Sequence, residues 1–234
     1  LVVWPETAFP YYLDTDLSHD AAVAELASFL RSIDKPLLTG AFSREPATKI
    51  AYNSVAALER NGSFSAGPVY RKTILMPFGE YIPGSSLFPS LKGALPGVSS
   101  WGEGSGPIVL RQASWKFGPQ ICYEGLFPWF SKRLADSGAE IFINVTNDAW
   151  FGGGFEMDQH LYLTLGRSIE FRRPMIRATN TGVTTAILSD GTVLESSPRS
   201  TEWFGVFEIP FRRDPPRTLY SYLLPFWPWL LALF

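Results

Sequence analysis

The chain has 234 residues, a formal net charge of −2, 46% hydrophobic residues and one cysteine. That length suits one large domain or two small ones, with a substantial buried core. A near-neutral composition without a basic stripe excludes nucleic acid as a partner, and a single cysteine excludes an internal disulfide.

LVVW opens the chain and reads as a buried strand ending at Pro5. It starts without Met, signal peptide or polar lead-in, as expected of a piece of a longer protein. Ser18 is placed to cap a helix whose apolar face is Val23, Leu26, Leu30 and Ile33. Pro36 ends that helix and PLLTGAF reads as a strand. IAYNSVAALE and VYRKTILM flank the Asn61-Gly62 turn signal, which predicts antiparallel neighbours.

From Gly79 to Gly106 the Gly, Pro and Ser content rules out a regular element, yet Tyr81, Ile82, Leu87, Phe88, Leu91, Leu95 and Trp101 are apolar. Loops of that length are uncommon unless functional or disordered. The composition predicts a lid or lipid-facing flap, with Leu87, Phe88 and Trp101 as its substrate-binding side chains.

Alternation then resumes. SWKFGPQI reads as a strand ending at Cys122, and FPWFSKRLADSG as a helix closed by Gly138. EIFINVTN follows as a strand, and HLYLTLGRSIEFRR as a helix with Leu161, Leu165 and Ile169 on one side. MIRATN and VTTAILS are strands, Asp190-Gly191 turns into TVLES, and GVFEIPF closes the domain. The pattern predicts an α/β (α+β layered) fold with two sheets face to face. Thr218 to Phe234 carries no charged residue. A membrane span needs roughly 20 apolar residues, and Trp227 and Trp229 beside prolines suit a membrane interface. The stretch is expected to start a transmembrane helix.

Cys122 falls between a strand and a helix, where a helix N-terminus lowers a thiol pKa and offers N–H groups to an oxyanion. A lone cysteine is more commonly a small buried hydrophobe. A thiol nucleophile also needs a proton acceptor. The two histidines are His19 and His160; His19 sits in a polar helix start and reads as solvated, so a Cys–His site has little support. Glu6 follows a strand between Pro5 and Pro10, which restrict the backbone. Partial burial would raise its pKa toward that of a general base; a solvated loop Glu is the alternative. Lys72 lies among apolar neighbours, where an ammonium can stabilise an oxyanion and Glu80 could hold it; the alternative is an edge-strand charge. No Cys/His ligand cluster is present, so no metal is expected.

WPETAFP, RKTILMPFGEYIP, QICYEGLFP and NVTNDAWFGG, in this order, resemble the Glu–Lys–Cys signature of the nitrilase (carbon–nitrogen hydrolase) superfamily. PFGEYIP, CYE, TNDAWFG and RPMIRATNTGVTTAILSDG are similar to one branch of it, the apolipoprotein N-acyltransferases of bacterial envelopes. The similarity covers nearly all of the chain.

The resemblance implies a nitrilase-like α-β-β-α sandwich with Glu6 as general base, Lys72 as oxyanion stabiliser and Cys122 as nucleophile. Glu80 would orient Lys72, Tyr123 and Glu124 would shape the pocket, and no cofactor is implied. The catalytic domain would span 1–211 without the superfamily's first strand upstream of Leu1. Residues 212–234 would be a juxtamembrane segment and the start of the C-terminal transmembrane helix.

The implied reaction moves a fatty acyl chain from a glycerophospholipid, through a Cys122 thioester, to the α-amino group of a lipoprotein's diacylglyceryl-cysteine. The implied setting is a monomer in the bacterial inner membrane with its domain facing the periplasm. Arg212, Arg213 and Arg217 point the other way by the positive-inside rule, but large domains translocate largely regardless of charge. These arginines can instead meet anionic headgroups. Two rivals stand beside this reading. One is a soluble amidase or nitrilase with water as second nucleophile; the other is a catalytically inactive, membrane-attached binding module.

Overall fold

The structure is a computed structural model that describes residues 1–13, 21–65, 69–85, 87–88, 90–91, 98, 100–152 and 154–226. The expected cap Ser18, together with His19, Leu95, Trp227 and Trp229, lies outside the described residues.

Two mixed sheets carry the fold. In the first, β1 (Val2–Val3) and β2 (Phe9–Tyr12) lie one after the other along β3 (Leu37–Arg44), both parallel to it. β4 (Ala51–Leu58) pairs antiparallel with β3, and β5 (Tyr70–Arg71) antiparallel with β4. Side chains alternate across a strand with period two, and the sheet uses both faces. Leu37, Ala56 and Leu58 pack with Val23, Leu26 and Leu30 of helix α1 (Ala21–Ile33). Their neighbours Leu38, Val55 and Ala57 join the core shared with the second sheet.

That second sheet has the order β10-β9-β8-β7-β6. Its strands are β6 (Leu110–Gln112), β7 (Trp115–Ile121), β8 (Ile141–Thr146), β9 (Met175–Thr179) and β10 (Thr185–Ile187). β7, β8 and β9 are parallel, so each connection needs a crossover, usually helical. Helices α2 (Pro128–Asp136) and α3 (Glu156–Phe171) supply them. Covered on both faces, β8 is buried at every position, as a central parallel strand must be. Between the sheets Leu38, Val55 and Tyr70 meet Phe117, Ile121 and Val145. The Gln112 side chain crosses the gap to donate to the carbonyl of Leu58 at 2.5 Å. The layers therefore run helix, sheet, sheet, helices.

Several elements differ from expectation. VYRKTILM pairs as a strand only at Tyr70 and Arg71. The Lys72 N–H still reaches the carbonyl of Asn53, but the N–H groups of Thr73 and Ile74 go to the carboxylate of Glu124. The stretch after Glu6 returns to the sheet as β2, a strand that was not expected. β6 was not expected either, and α3 begins at Glu156, one turn before His160. TVLES contributes an isolated bridge, Ile187 with Val193. GVFEIPF is not a strand; Gly205 and Pro210 weaken any ladder there. In the tail, Leu219–Leu223 form a short helix (α4) and Leu224–Phe226 a 3-10 turn. No helix among the described residues is long and apolar enough to cross a membrane, and 227–234 lie outside them.

Candidate active site

Glu6 occupies the interruption between β1 and β2. A break in edge pairing re-aims a side chain, and here it turns Glu6 inward to 6% exposure. Gly40 makes room for the turn: a Cβ there would fall 2.4–2.6 Å from backbone atoms of Pro5, Glu6 and Thr7. One carboxylate oxygen accepts from Asn53 Nδ2 at 2.6 Å, the other from the Asn147 N–H at 2.7 Å. Burial raises the pKa of Glu6, against the pull of Lys72 and the Asn53 hydrogen bond.

Lys72 comes just after β5 and is 2% exposed. Its Nζ lies 2.9 and 2.8 Å from the two oxygens of Glu80 and 3.7 Å from Glu6 Oε1. Burial alone would lower its pKa, but the carboxylates outweigh burial and raise it. Glu80 is itself held by the Met76 N–H at 2.8 Å. The Tyr123 ring centroid is 5.6 Å from Nζ, and the Tyr123 hydroxyl donates to the carbonyl of Leu75.

Cys122 directly follows β7 and begins a 3-10 helix, Cys122–Leu126. Carboxyl ends of parallel strands are where layered α/β folds collect ligand sites. Its φ is +54°, in the left-handed region. The expectation of a helix-lowered thiol pKa is reversed. Burial, reinforced by Glu6 and opposed by Lys72, pushes Cys122 up to about 12. The resting thiol is therefore protonated, and a thiol in that state would act as a nucleophile only with the help of a neighbouring base.

Glu124 is fully buried and clamps the two halves of the site. It accepts from the N–H groups of Ile121, Thr73 and Ile74 and from the Tyr70 hydroxyl, all within 2.7–3.0 Å. Burial pushes its carboxyl up to about 7, although backbone donors pull it down. Of the expected lid residues, Leu87 and Phe88 point outward at 78% and 64% exposure. Trp101 stacks on Phe42 with ring centroids 5.0 Å apart.

Sequence reasoning missed Asn53 and the buried set Asn144, Asp148, His160 and Arg177. The signal was present: Asn144 inside IFINVT and Arg177 inside MIRAT are polar groups in strands read as apolar. A buried polar group demands a partner. Among the described residues no cluster of three or more His, Cys, Asp or Glu is placed to hold a metal ion.

A helix–sheet–sheet–helix sandwich with a buried thiol, carboxylate and ammonium at the ends of its sheets is that of the nitrilase-like α/β proteins. The chain belongs to the carbon–nitrogen hydrolase family, whose profile matches residues 1–212. Solved structures share the fold. A carbon–nitrogen hydrolase from Helicobacter pylori G27 aligns with a TM-score of 0.58 and 17% identity, over 77% of this chain and 63% of its own. An amidase from Nesterenkonia sp. AN1, bearing the acetamide moiety of fluoroacetamide on its active-site cysteine, aligns with a TM-score of 0.60 and 18% identity. That alignment covers 86% of this chain and 73% of the amidase.

Among curated relatives, an apolipoprotein N-acyltransferase of Bdellovibrio bacteriovorus is 46% identical over 242 residues, covering 100% of this chain and 44% of the relative. One from Geobacter metallireducens is 32% identical over 201 residues, covering 85% of this chain and 37% of the relative. The chain spans less than half the length of these two relatives.

Proposed function

We propose that the chain is the catalytic part of an apolipoprotein N-acyltransferase. The observation that carries this is the 46% identity to one such enzyme along the whole chain. The buried Lys72 between Glu6 and Glu80, close to a thiol whose pKa responds to both Glu6 and Lys72, supports it. In the first half-reaction Glu6 takes the Cys122 proton while Sγ attacks the ester carbonyl of a glycerophospholipid. Lys72 stabilises the oxyanion. The ester C–O bond breaks, Glu6 returns the proton to the departing alkoxide, and a lysophospholipid leaves. In the second, the α-amino group of a diacylglyceryl-modified N-terminal cysteine attacks the thioester. The new N–C bond replaces C–S, and Glu6 passes the amine proton to the thiolate.

In this reading residues 1–211 are the catalytic domain, and 212–234 lead into a membrane helix. The protein works as a monomer at the periplasmic face of the inner membrane, with Leu87 and Phe88 toward lipid. The test is direct. Full-length protein incubated with phospholipid should gain one fatty-acyl mass, removable by neutral hydroxylamine, and Cys122→Ala should gain none. An unchanged acyl mass in Cys122→Ala would sink the assignment. Ammonia released from small amides, with no acyl mass from phospholipid, would favour an amidase.

A further inference from the structure

A left-handed non-glycine backbone is strained and persists only where its surroundings over-determine it. At Cys122 the carbonyl side is held by Asn144 of the neighbouring strand, whose Nδ2 donates to the Cys122 carbonyl at 3.0 Å. An amide could present either end. The choice is forced by Arg177, fully buried, whose Nη1 donates to Asn144 Oδ1. A guanidinium has no acceptor, so Asn144 must turn its oxygen to Arg177 and its NH2 to the nucleophile's carbonyl.

Arg177 is fixed in turn. Its Nη2 donates to Asp148 Oδ2 at 2.9 Å, and Asp148 Oδ1 accepts from His160 Nδ1 at 2.8 Å. Asp148 is fully buried and His160 5% exposed. Gly182 leaves space for the carboxylate, since a Cβ there would lie 2.0 Å from Oδ2. His160 Nε2 makes no hydrogen bond of ordinary geometry; the ring's one hydrogen bond is to Asp148, and the backbone of Cys122 also lies near enough to act on its charge. Asp148 also follows Asn147, whose N–H supports Glu6. One buried chain therefore reaches both the nucleophile and the turn beneath its base.

We propose that Asn144, Arg177, Asp148 and His160 form a positioning network that holds Cys122 in its left-handed conformation and sets its thiol against Glu6. None of the four touches the reacting atoms. The proposal deepens the acyltransfer reading and rests on Cys122 and Glu6 as nucleophile and base, but not on the identity of the acyl donor.

The experiment therefore measures two rates in the full-length protein, each per folded molecule. One is alkylation of Cys122 by iodoacetamide, in which the S–C bond forms, iodide leaves and Glu6 takes the proton. The other is acyl-enzyme formation at varied phospholipid. Asn144→Asp keeps the acceptor for Arg177 but sets oxygen against the Cys122 carbonyl. Misplacement by about 1 Å costs up to roughly 10²-fold, so alkylation should fall at least about tenfold. Acylation should fall in its maximal rate with the half-saturating phospholipid concentration unchanged. His160→Asn keeps an N–H near the Nδ1 position and should stay within about threefold of wild type, where His160→Leu loses about tenfold.

Wild-type alkylation in Asn144→Asp would overturn the network. So would a His160→Asn protein as slow as His160→Leu, or losses confined to melting temperature. Should wild type alkylate and the variants fall as expected while phospholipid leaves no acyl mass, the network stands and the acyltransferase reading fails.

Discussion

As the general base of the proposed acyltransferase, Glu6 would meet two opposed demands. A general base works only when ionised, yet burial raises its pKa above the ordinary 4.5. Acyl-enzyme formation should therefore decline as pH falls through a midpoint above 4.5, and the rate profile against pH measures it. Stability runs the other way. A folded pKa raised above the unfolded one contributes stability that is fully present below the unfolded pKa and is lost as pH rises through the folded value. Glu6→Gln should abolish that part of the melting-temperature slope while acylation drops 10²–10⁴-fold, typical of a lost base. Lys72→Met is a different case. It leaves Glu6 and Glu80 buried without their cation, so it should both destabilise, by roughly 3–5 kcal/mol as for a broken buried pair, and slow acylation per folded molecule by roughly 10²–10³-fold. Full acylation in a folded Lys72→Met protein would remove Lys72 from the chemistry.

The elements explain why these side chains arrive where they do. β1 and β2 would read as one strand but for the Glu6 turn, and that turn exists because Gly40 of β3 has no Cβ. Gly40→Ala touches no titratable group, yet its methyl would collide with backbone that cannot rotate away. Overpacking typically costs about 1–3 kcal/mol, and displacing Glu6 by about 1 Å should cost acylation up to roughly 10²-fold. Equal rates in stopped-flow acylation would mean the turn tolerates the shift. Glu124 plays the matching part between β5 and β7. Glu124→Gln sets an NH2 against donors it cannot accept from, leaving at least one N–H of Ile121, Thr73 or Ile74 unsatisfied. Each such buried group costs about 1–3 kcal/mol, which a lowered denaturation midpoint would register.

At the scale of the molecule, the site is assembled from both sheets. Glu6, Lys72 and Glu80 come with the first, Cys122 with the second, and Glu124 and Gln112 tie the two together across the core. Leu87 and Phe88 stand outside this packing. In the acyltransferase reading they face lipid, so Leu87→Asp with Phe88→Asp should reduce acylation from phospholipid vesicles with little change in melting temperature. A clear loss of melting temperature with normal turnover per folded molecule would assign them to packing instead.

Sequence alone determined the layer order, the main helices and most of the strands, because an amphipathic period or an apolar run is written into consecutive residues. It also singled out Glu6, Lys72, Glu80, Cys122 and Glu124, because their motifs are contiguous. Short pairings such as β2 and β6 were beyond it, since three or four residues carry no period. So was the buried chain from Asn144 to His160, whose members lie on β8, β9, α3 and the turn after β8. Which donor meets which acceptor there depends on strand register and crossover geometry, and those are settled only when distant segments pack. The thiol's raised pKa has the same origin: its position at a helix start is local, but the burial that outweighs it belongs to the folded whole.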